Sequence, residues 1–292
     1  MFQFMKKIIL ILFIFTSYLT LGQTRVEVQG TIIEDLDLSA ISCLRKLCLL
    51  ASDETNLIQI AQFKRNKLFI SNKSIDLGKY KKENDIEGLS NDGKYFYAIG
   101  SHGISRKSFK YQKSRYVFFR ILLDRNGNVI ELIKKNLKKH LKNSNTFKPF
   151  YRKPLQENGV NIEGLAAYNG KVYIGYRAPL IEGKAIIESF NAKEFFENKT
   201  ILEHREELID LGGEGIRSLE IKKGEYFIIS GKSEPIDDNN AKLWRYKASK
   251  QQAIISESVP FAYLKLEGME IIGNKFIYLY DSEPNGNLLM IK

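Results

Sequence analysis

One five-residue phrase recurs along this chain. Asp85-Ile86-Glu87-Gly88-Leu89 is followed by the apolar run 95–99 and by Ser101-His102. It returns as Asn161-Ile162-Glu163-Gly164-Leu165, with the run 172–174 and Arg177, and as Lys265-Leu266-Glu267-Gly268-Met269, with the run 276–279 and Asp281. A fourth copy, Gly215-Ile216-Arg217-Ser218-Leu219 with the run 226–229, carries arginine in place of glutamate. A faint fifth is Asp37-Leu38-Ser39-Ala40-Ile41, followed by the run 47–50 and Ser52-Asp53. Aligned at positions 38, 87, 163, 217 and 267, the copies stand 49, 76, 54 and 50 residues apart. A period near 50 with two short apolar strands opening each unit predicts an all-β, five-bladed β-propeller. Six blades is the alternative if the long second unit hides a further repeat.

Each blade of a propeller buries its faces only against its neighbours, so residues 23–292 are expected to form a single domain. The 18 Phe and 15 Tyr suit strands. The formal net charge of +11 favours anionic ligands, phosphate-bearing surfaces or acidic polymers, or is simply a basic solvated face. Residues 1–22 read as a signal peptide: Lys6-Lys7, an apolar run 8–15, then Leu21-Gly22 before Gln23. That run is too short to span a bilayer. Cleavage near Gly22-Gln23 would deliver the protein to a periplasm or the medium, with no transmembrane segment left, as a monomer; an uncleaved anchor extending to Leu21 is the alternative.

The last repeat ends early, and a strand-like segment at 25–34 precedes the first. That segment is expected to complete the final blade and close the ring, removing an exposed edge. Cys43 and Cys48 flank a tight turn; they form either a short cross-hairpin disulfide or two buried thiols. The second unit holds a basic loop at 101–115, an Asn-Gly turn within Asp124-Arg125-Asn126-Gly127-Asn128, and a basic segment 132–142 that reads as a helix. Such inserts either meet nucleic acid or membrane or are solvated; we expect no specific nucleic-acid partner. Asn191 and Glu194 form a capping box for a helix at 192–198. His204 reads as a surface histidine and Trp244 as a core residue.

In a propeller the first strand of each blade lines the central channel, and the second returns beside it. Glu87, Glu163, Arg217 and Glu267 are therefore expected in one ring at a channel mouth, with Leu38 as the gap. Asp53, His102, Arg177, Lys232 and Asp281 should form a second ring just outside. Convergent polar groups in a concavity are the default candidate site. Three carboxylates in one funnel need a partner. Arg177 and Arg217 could neutralise them in a structural network. A divalent cation such as Ca2+ could sit among Glu87, Glu163 and Glu267. Glu87, Glu163 and His102 could instead serve as acid and base, with Arg177, Arg217, Glu267 and Asp281 binding ligand. Neighbouring residues on a strand point apart, so Ser101-His102 does not make a serine hydrolase, and no Gly-x-Ser-x-Gly elbow exists. Walker, dinucleotide and His-Glu-x-x-His motifs are absent.

The phrases above, together with Ile99-Gly100-Ser101-His102-Gly103 and Gly175-Tyr176-Arg177-Ala178-Pro179-Leu180, resemble a family of bacterial exported β-propeller proteins catalogued as a domain of unknown function. The likeness covers nearly all of the chain after its leader. More distantly it is similar to phytase-like esterase and gluconolactonase-type propellers. That resemblance implies metal-assisted hydrolysis of a phosphoester, ester or lactone, with Glu87, Glu163 and Glu267 as metal or ligand contacts and Arg177 and Arg217 as anion contacts. The Asp-rich calcium loops of true phytases are missing here. Two functional expectations follow. One is binding and hydrolysis of a small anionic substrate at the Glu/Arg mouth, with a divalent cation. The other is a non-catalytic propeller that holds a ligand, a protein or an envelope polymer.

Overall fold

The computed structural model describes residues 23–78, 82–106, 108–198, 203–233, 241–247, 252–257, 264–281 and 289–291. The proposed leader lies outside them. At the N-terminus, β1 (Gln23–Arg25) and β2 (Glu27–Gln29) are short. A first sheet follows from β3 (Leu38–Leu44), β4 (Leu47–Ser52), β5 (Leu57–Lys64) and β6 (Lys67–Asp76). A second holds β7 (Ile86–Asn91), β8 (Phe96–Gly100), β9 (Phe118–Leu123) and β10 (Val129–Lys135). The helix α1 (Lys138–Asn143) leads to a third sheet, β11 (Asn161–Tyr168), β12 (Lys171–Ala178), β13 (Ala185–Asn191) and β14 (His204–Ile209), with α2 (Ala192–Asn198) between the last two strands. The fourth comprises β15 (Gly215–Lys222), β16 (Glu225–Gly231), β17 (Lys242–Lys247) and β18 (Gln252–Glu257). The final sheet is β19 (Leu266–Ile272), β20 (Lys275–Tyr280) and β21 (Leu289–Ile291).

Each run is an antiparallel meander, and together they make a β-propeller arrangement. Four sheets have four strands; the one containing β3 has five. The first strands touch in cyclic order, β3 with β7, β7 with β11, β11 with β15, β15 with β19, and β19 with β3. Apolar side chains from facing sheets fill the space between them. Leu89 and Phe96 pack with Leu49 and Ile60, and Ile216 and Leu219 with Ala166 and Ile187.

The N-terminal segment splits its role. β1 pairs with β21, so the final sheet gains its outer strand from the start of the chain. β2 pairs in parallel with β6, adding a fifth strand to the first sheet. The strand expected at 25–34 is thus two short strands, with Val26 buried between them.

The recurring phrase has a common geometry. In every sheet the first two strands slip register within the phrase: between Ile86 and Gly88, Ile162 and Gly164, Ile216 and Ser218, Leu266 and Gly268, and Leu38 and Ala40, with a second slip between Asn161 and Ile162 in the third sheet. The skipped residues are Glu87, Glu163, Arg217, Glu267 and Ser39. Each sits in a β-bulge, which bends the strand and re-aims one side chain. Ser39, not Leu38, is therefore the first sheet's counterpart of Glu87. The glycine after the bulge lets the next sheet come close. A Cβ on Gly88 would lie 2.7 Å from the Cβ of Leu165, and one on Gly164 would lie 2.8 Å from Ile216 Cγ2. Where serine stands in the phrase, its hydroxyl ties sheet to sheet: Ser39 Oγ donates to Ile86 O, and Ser218 Oγ accepts Met269 N–H at 3.2 Å.

Cys43 and Cys48 face each other across the β3–β4 hairpin and are joined in a disulfide. Residues 132–135, expected to be helical, continue β10 beyond the Asn-Gly turn, and the helix is confined to α1. In α2, Asn191 Oδ1 accepts Glu194 N–H at 3.0 Å, as the capping pattern predicts. Trp244 is buried, with Nε1 donating to Ser230 Oγ at 2.7 Å.

Candidate functional site

The bulges deliver their side chains to one end of the channel. Glu87, Glu163 and Glu267 line one small cavity of about 20 Å³, together with Asp53, Arg177 and Asp281. Residues from the first, second, third and final sheets meet there, and the fourth sheet supplies none of the lining. Arg217 belongs to the same ring but does not line the cavity. It lies buried behind Glu267, with its side chain against Gly231, where a Cβ would come within 2.4 Å of Nε.

The outer ring differs from expectation by one residue in two sheets. Ile86 pairs with Gly100, and Leu38 with Ser52, so the residue after the pair is Ser101 in the second sheet and Asp53 in the first. The same backbone bond marks both places: Ser101 N–H donates to Asp85 O at 3.0 Å, and Asp53 N–H to Asp37 O at 3.3 Å. Ser101, not His102, is therefore the counterpart of Arg177 and Asp281. In the fourth sheet the place falls to Gly231, not Lys232. His102 has a φ of 52° and turns away beneath the insert. Its Nδ1 donates to Gly100 O at 2.9 Å, and its Nε2 accepts Leu137 N–H at 3.1 Å. Full burial, with Lys138 nearby, lowers its pKa to about 4, so the ring is neutral and both nitrogens are occupied.

One half of the mouth is charge-compensated. Arg177 Nη1 donates to Glu163 Oε1 at 2.8 Å, and its Nε to Lys232 O at 3.1 Å. Arg217 Nη1 donates to Glu267 Oε1 and Oε2 at 2.9 and 3.0 Å. Lys265 Nζ lies 2.9 Å from Glu267 Oε1 and is also bonded to Asp281. Burial alone would raise the Glu267 pKa, but Arg217 and Lys265 outweigh it and hold the group at about 2.

The other half is not. Asp53, Asp85 and Glu87 bring three carboxylate oxygens within 4.8 Å of one another. Burial, compounded by Asp85, Glu163 and Asp53, pushes Glu87 well above the usual carboxylate range. Burial and the charges of Asp85 and Glu267 lift Asp53 to about 8. Asp85 is also raised by burial, although Arg115 Nη1 stands 3.1 Å from Oδ2 and Ser101 Oγ donates to the same oxygen. Its backbone lies in the left-handed region at φ 51°, which aspartate tolerates better than most residues. Two more buried acceptors border this trio. Glu163 Oε2 and Asn161 Oδ1 have no hydrogen-bond partner among the described residues, and the side chains are 5 % and 8 % exposed. Asn161 shares a cleft with Asp85 and Glu87, and the exposed Arg106 borders both that cleft and the main cavity.

Hard oxygen donors gathered without enough cations fit a divalent ion such as Ca2+. The sequence reading missed Asp85, Asn161, Arg106, Arg115 and Lys265. The first two and Lys265 share a position two residues before the bulge, and its polar character in Asp37, Asp85, Asn161 and Lys265 was the available signal. Arg106 and Arg115 lie in the insert, which has no counterpart in the other repeats.

No curated protein matches the chain. Among solved structures, Myxococcus xanthus glutaminyl cyclase superposes with a TM-score of 0.47 at 11% identity, covering 92% of this chain and 97% of that one. A nidogen/laminin complex chain gives a TM-score of 0.46 at 10% identity, covering 83% and 72%. A family model matches residues 37–122 and 124–267, nearly the whole run of repeats. The chain belongs to the family described as Protein of unknown function (DUF3616).

Proposed function

We propose that the mature chain is an exported, single-domain, five-bladed propeller that binds a small anionic molecule at the channel mouth together with a divalent cation. The cyclic contact of five first strands supports the blade count. The leader pattern of 1–22 supports export. The observation that carries the reading is the division of the mouth into a charge-compensated half and an acidic trio, Asp53, Asp85 and Glu87, in which Arg115 on Asp85 is the one cationic partner among the described residues. The trio, with the vacant oxygens of Asn161 and Glu163 beside it, suits a hard cation. The cation would offset the repulsion that now raises these groups. Arg106 at the rim and Arg177 in the wall suit an anionic group on the ligand.

The reaction we assign is hydrolysis of a phosphoester, ester or lactone. With the cation among the trio Glu87 serves as one of its ligands; without it, Glu87, pushed above the usual carboxylate range by burial and its acidic neighbours, is the candidate acid. His102 has neither ring nitrogen available for this work. The test uses the chain 23–292 with p-nitrophenyl phosphate, p-nitrophenyl acetate and a γ-lactone, each with Ca2+ and with chelator. Calcium-dependent turnover that is lost in Glu87→Gln and Arg177→Ala supports the enzyme. Binding of inorganic phosphate without turnover of any substrate makes the protein a non-catalytic ligand-binding propeller. If neither Ca2+ nor phosphate binds, the site reading itself is wrong.

A further inference from the structure

A second cluster, sharing no residue with the channel mouth, lies on the third sheet. Of the chain's three histidines, two converge there. His140 comes from α1 in the insert of the second sheet, and His204 opens β14. Between them stands Glu188 of β13. The three offer one donor atom each, all within 4.8 Å of one another.

Glu188 is wholly buried, where a carboxylate is costly unless something satisfies it. One oxygen is fixed: Tyr176 Oη donates to Oε2 at 2.8 Å. The other, Oε1, has no hydrogen-bond partner among the described residues, and neither has His140 Nε2. These two atoms approach to 2.5 Å without the geometry of a hydrogen bond. The His140 and His204 rings lie edge to face, with centroids 5.0 Å apart. A cleft lined by Asn143, Thr146 and Glu206 opens beside His204.

We propose that His140, Glu188 and His204 form a zinc site. Two imidazoles and one carboxylate are a borderline-soft donor set that suits Zn2+ at about 2.0–2.2 Å per ligand. The ion separates the two atoms now in close approach and gives each a partner. The bond from Tyr176 to Oε2 orients the carboxylate, as outer-shell donors do at metal sites. A fourth position faces the cleft, where Glu206 or water completes the coordination; Glu206 Oε1 lies 3.5 Å from His204 Nε2, and Oε2 accepts from Thr146 Oγ1 at 2.6 Å. Because α1 belongs to one sheet's insert and Glu188 to the next sheet, the ion would clamp the insert to its neighbour.

The experiment takes untagged chain 23–292, adds ZnCl2, desalts it and measures retained metal by mass spectrometry. About one zinc per chain is expected, with the thermal midpoint raised roughly 5 °C at a hundredfold excess of free zinc over Kd. His204→Ala removes a side chain that is 38% exposed at a sheet edge, so it should fold normally and retain no zinc. Glu87→Gln should retain zinc as the parent does, which separates this site from the channel mouth. Co2+ should give intense visible bands in the parent and not in His204→Ala. Absence of retained zinc in the parent, or equal retention in His204→Ala, overturns the proposal and leaves a His140–Glu188 ion pair.

Discussion

Arg217 reaches from its own bulge to the bulge of the next sheet, where Nη1 donates to both carboxylate oxygens of Glu267. The pair is almost wholly buried, at 4% and 11% side-chain exposure. Breaking one partner of such a pair strands the other charge, which costs about 3–5 kcal/mol. Arg217→Ala should therefore lose that much stability in urea unfolding. Adding Glu267→Gln to it should recover part of the loss. If the single variant unfolds at the parent's urea midpoint, the pair does not join these sheets as described.

The acidic trio makes the opposite prediction. Burial and Asp85 raise both Asp53 and Glu87, and Asp53 raises Glu87 further, so removing the Asp53 charge relieves Glu87. Asp53→Asn should raise the thermal midpoint of the metal-free protein. The same change should abolish the added stability that Ca2+ confers on the parent. A variant that loses stability without Ca2+ while still responding to it would show that the trio is not strained by its own charge.

The pH dependence follows from the same groups. Asp53 and Glu270 have folded pKa values of about 8, each raised chiefly by burial. Between about 4 and 8 the folded chain therefore holds protons that the unfolded chain has released, so stability falls as pH rises through that window. Glu267, held at about 2, acts in the other direction: its contribution is lost as pH falls from about 4.5 toward 2. Metal-free protein should accordingly melt highest near pH 4–5. Saturating Ca2+ should flatten the fall between pH 5 and 8. A midpoint that climbs steadily from pH 5 to 8 without metal would contradict the raised values.

His102 is predicted to act as a strap. Its two backbone bonds tie the end of β8 to Leu137, the residue before α1. His102→Ala leaves the Leu137 N–H buried without a partner and should cost about 1–3 kcal/mol. Limited proteolysis should then cut faster within 136–160, while cuts elsewhere are unchanged. Uniform acceleration would mean that the histidine supports the whole sheet and not the insert.

The repeats were legible because each unit must supply the same two things: apolar strands to fill the space between sheets, and a small residue, glycine, serine or alanine, where the next sheet approaches. From that pattern alone came the all-β propeller arrangement and the gathering of Glu87, Glu163 and Glu267 about one cavity. The outer ring was less legible, because a bulge shifts the phase of side chains by one residue and spacing alone does not show where it falls. Hence Ser101 took the place assigned to His102 and Gly231 the place assigned to Lys232, and in the inner ring Ser39 took the place assigned to Leu38. Only the tertiary structure decided which carboxylates are paired. Glu163 and Glu267 carry the same phrase as Glu87, yet Arg177, Arg217 and Lys265 compensate the first two, while Asp53 and Asp85 crowd the third. Charge balance in a buried site depends on which groups lie within a few ångströms, and residues far apart in a repeat protein acquire those distances only when the ring closes.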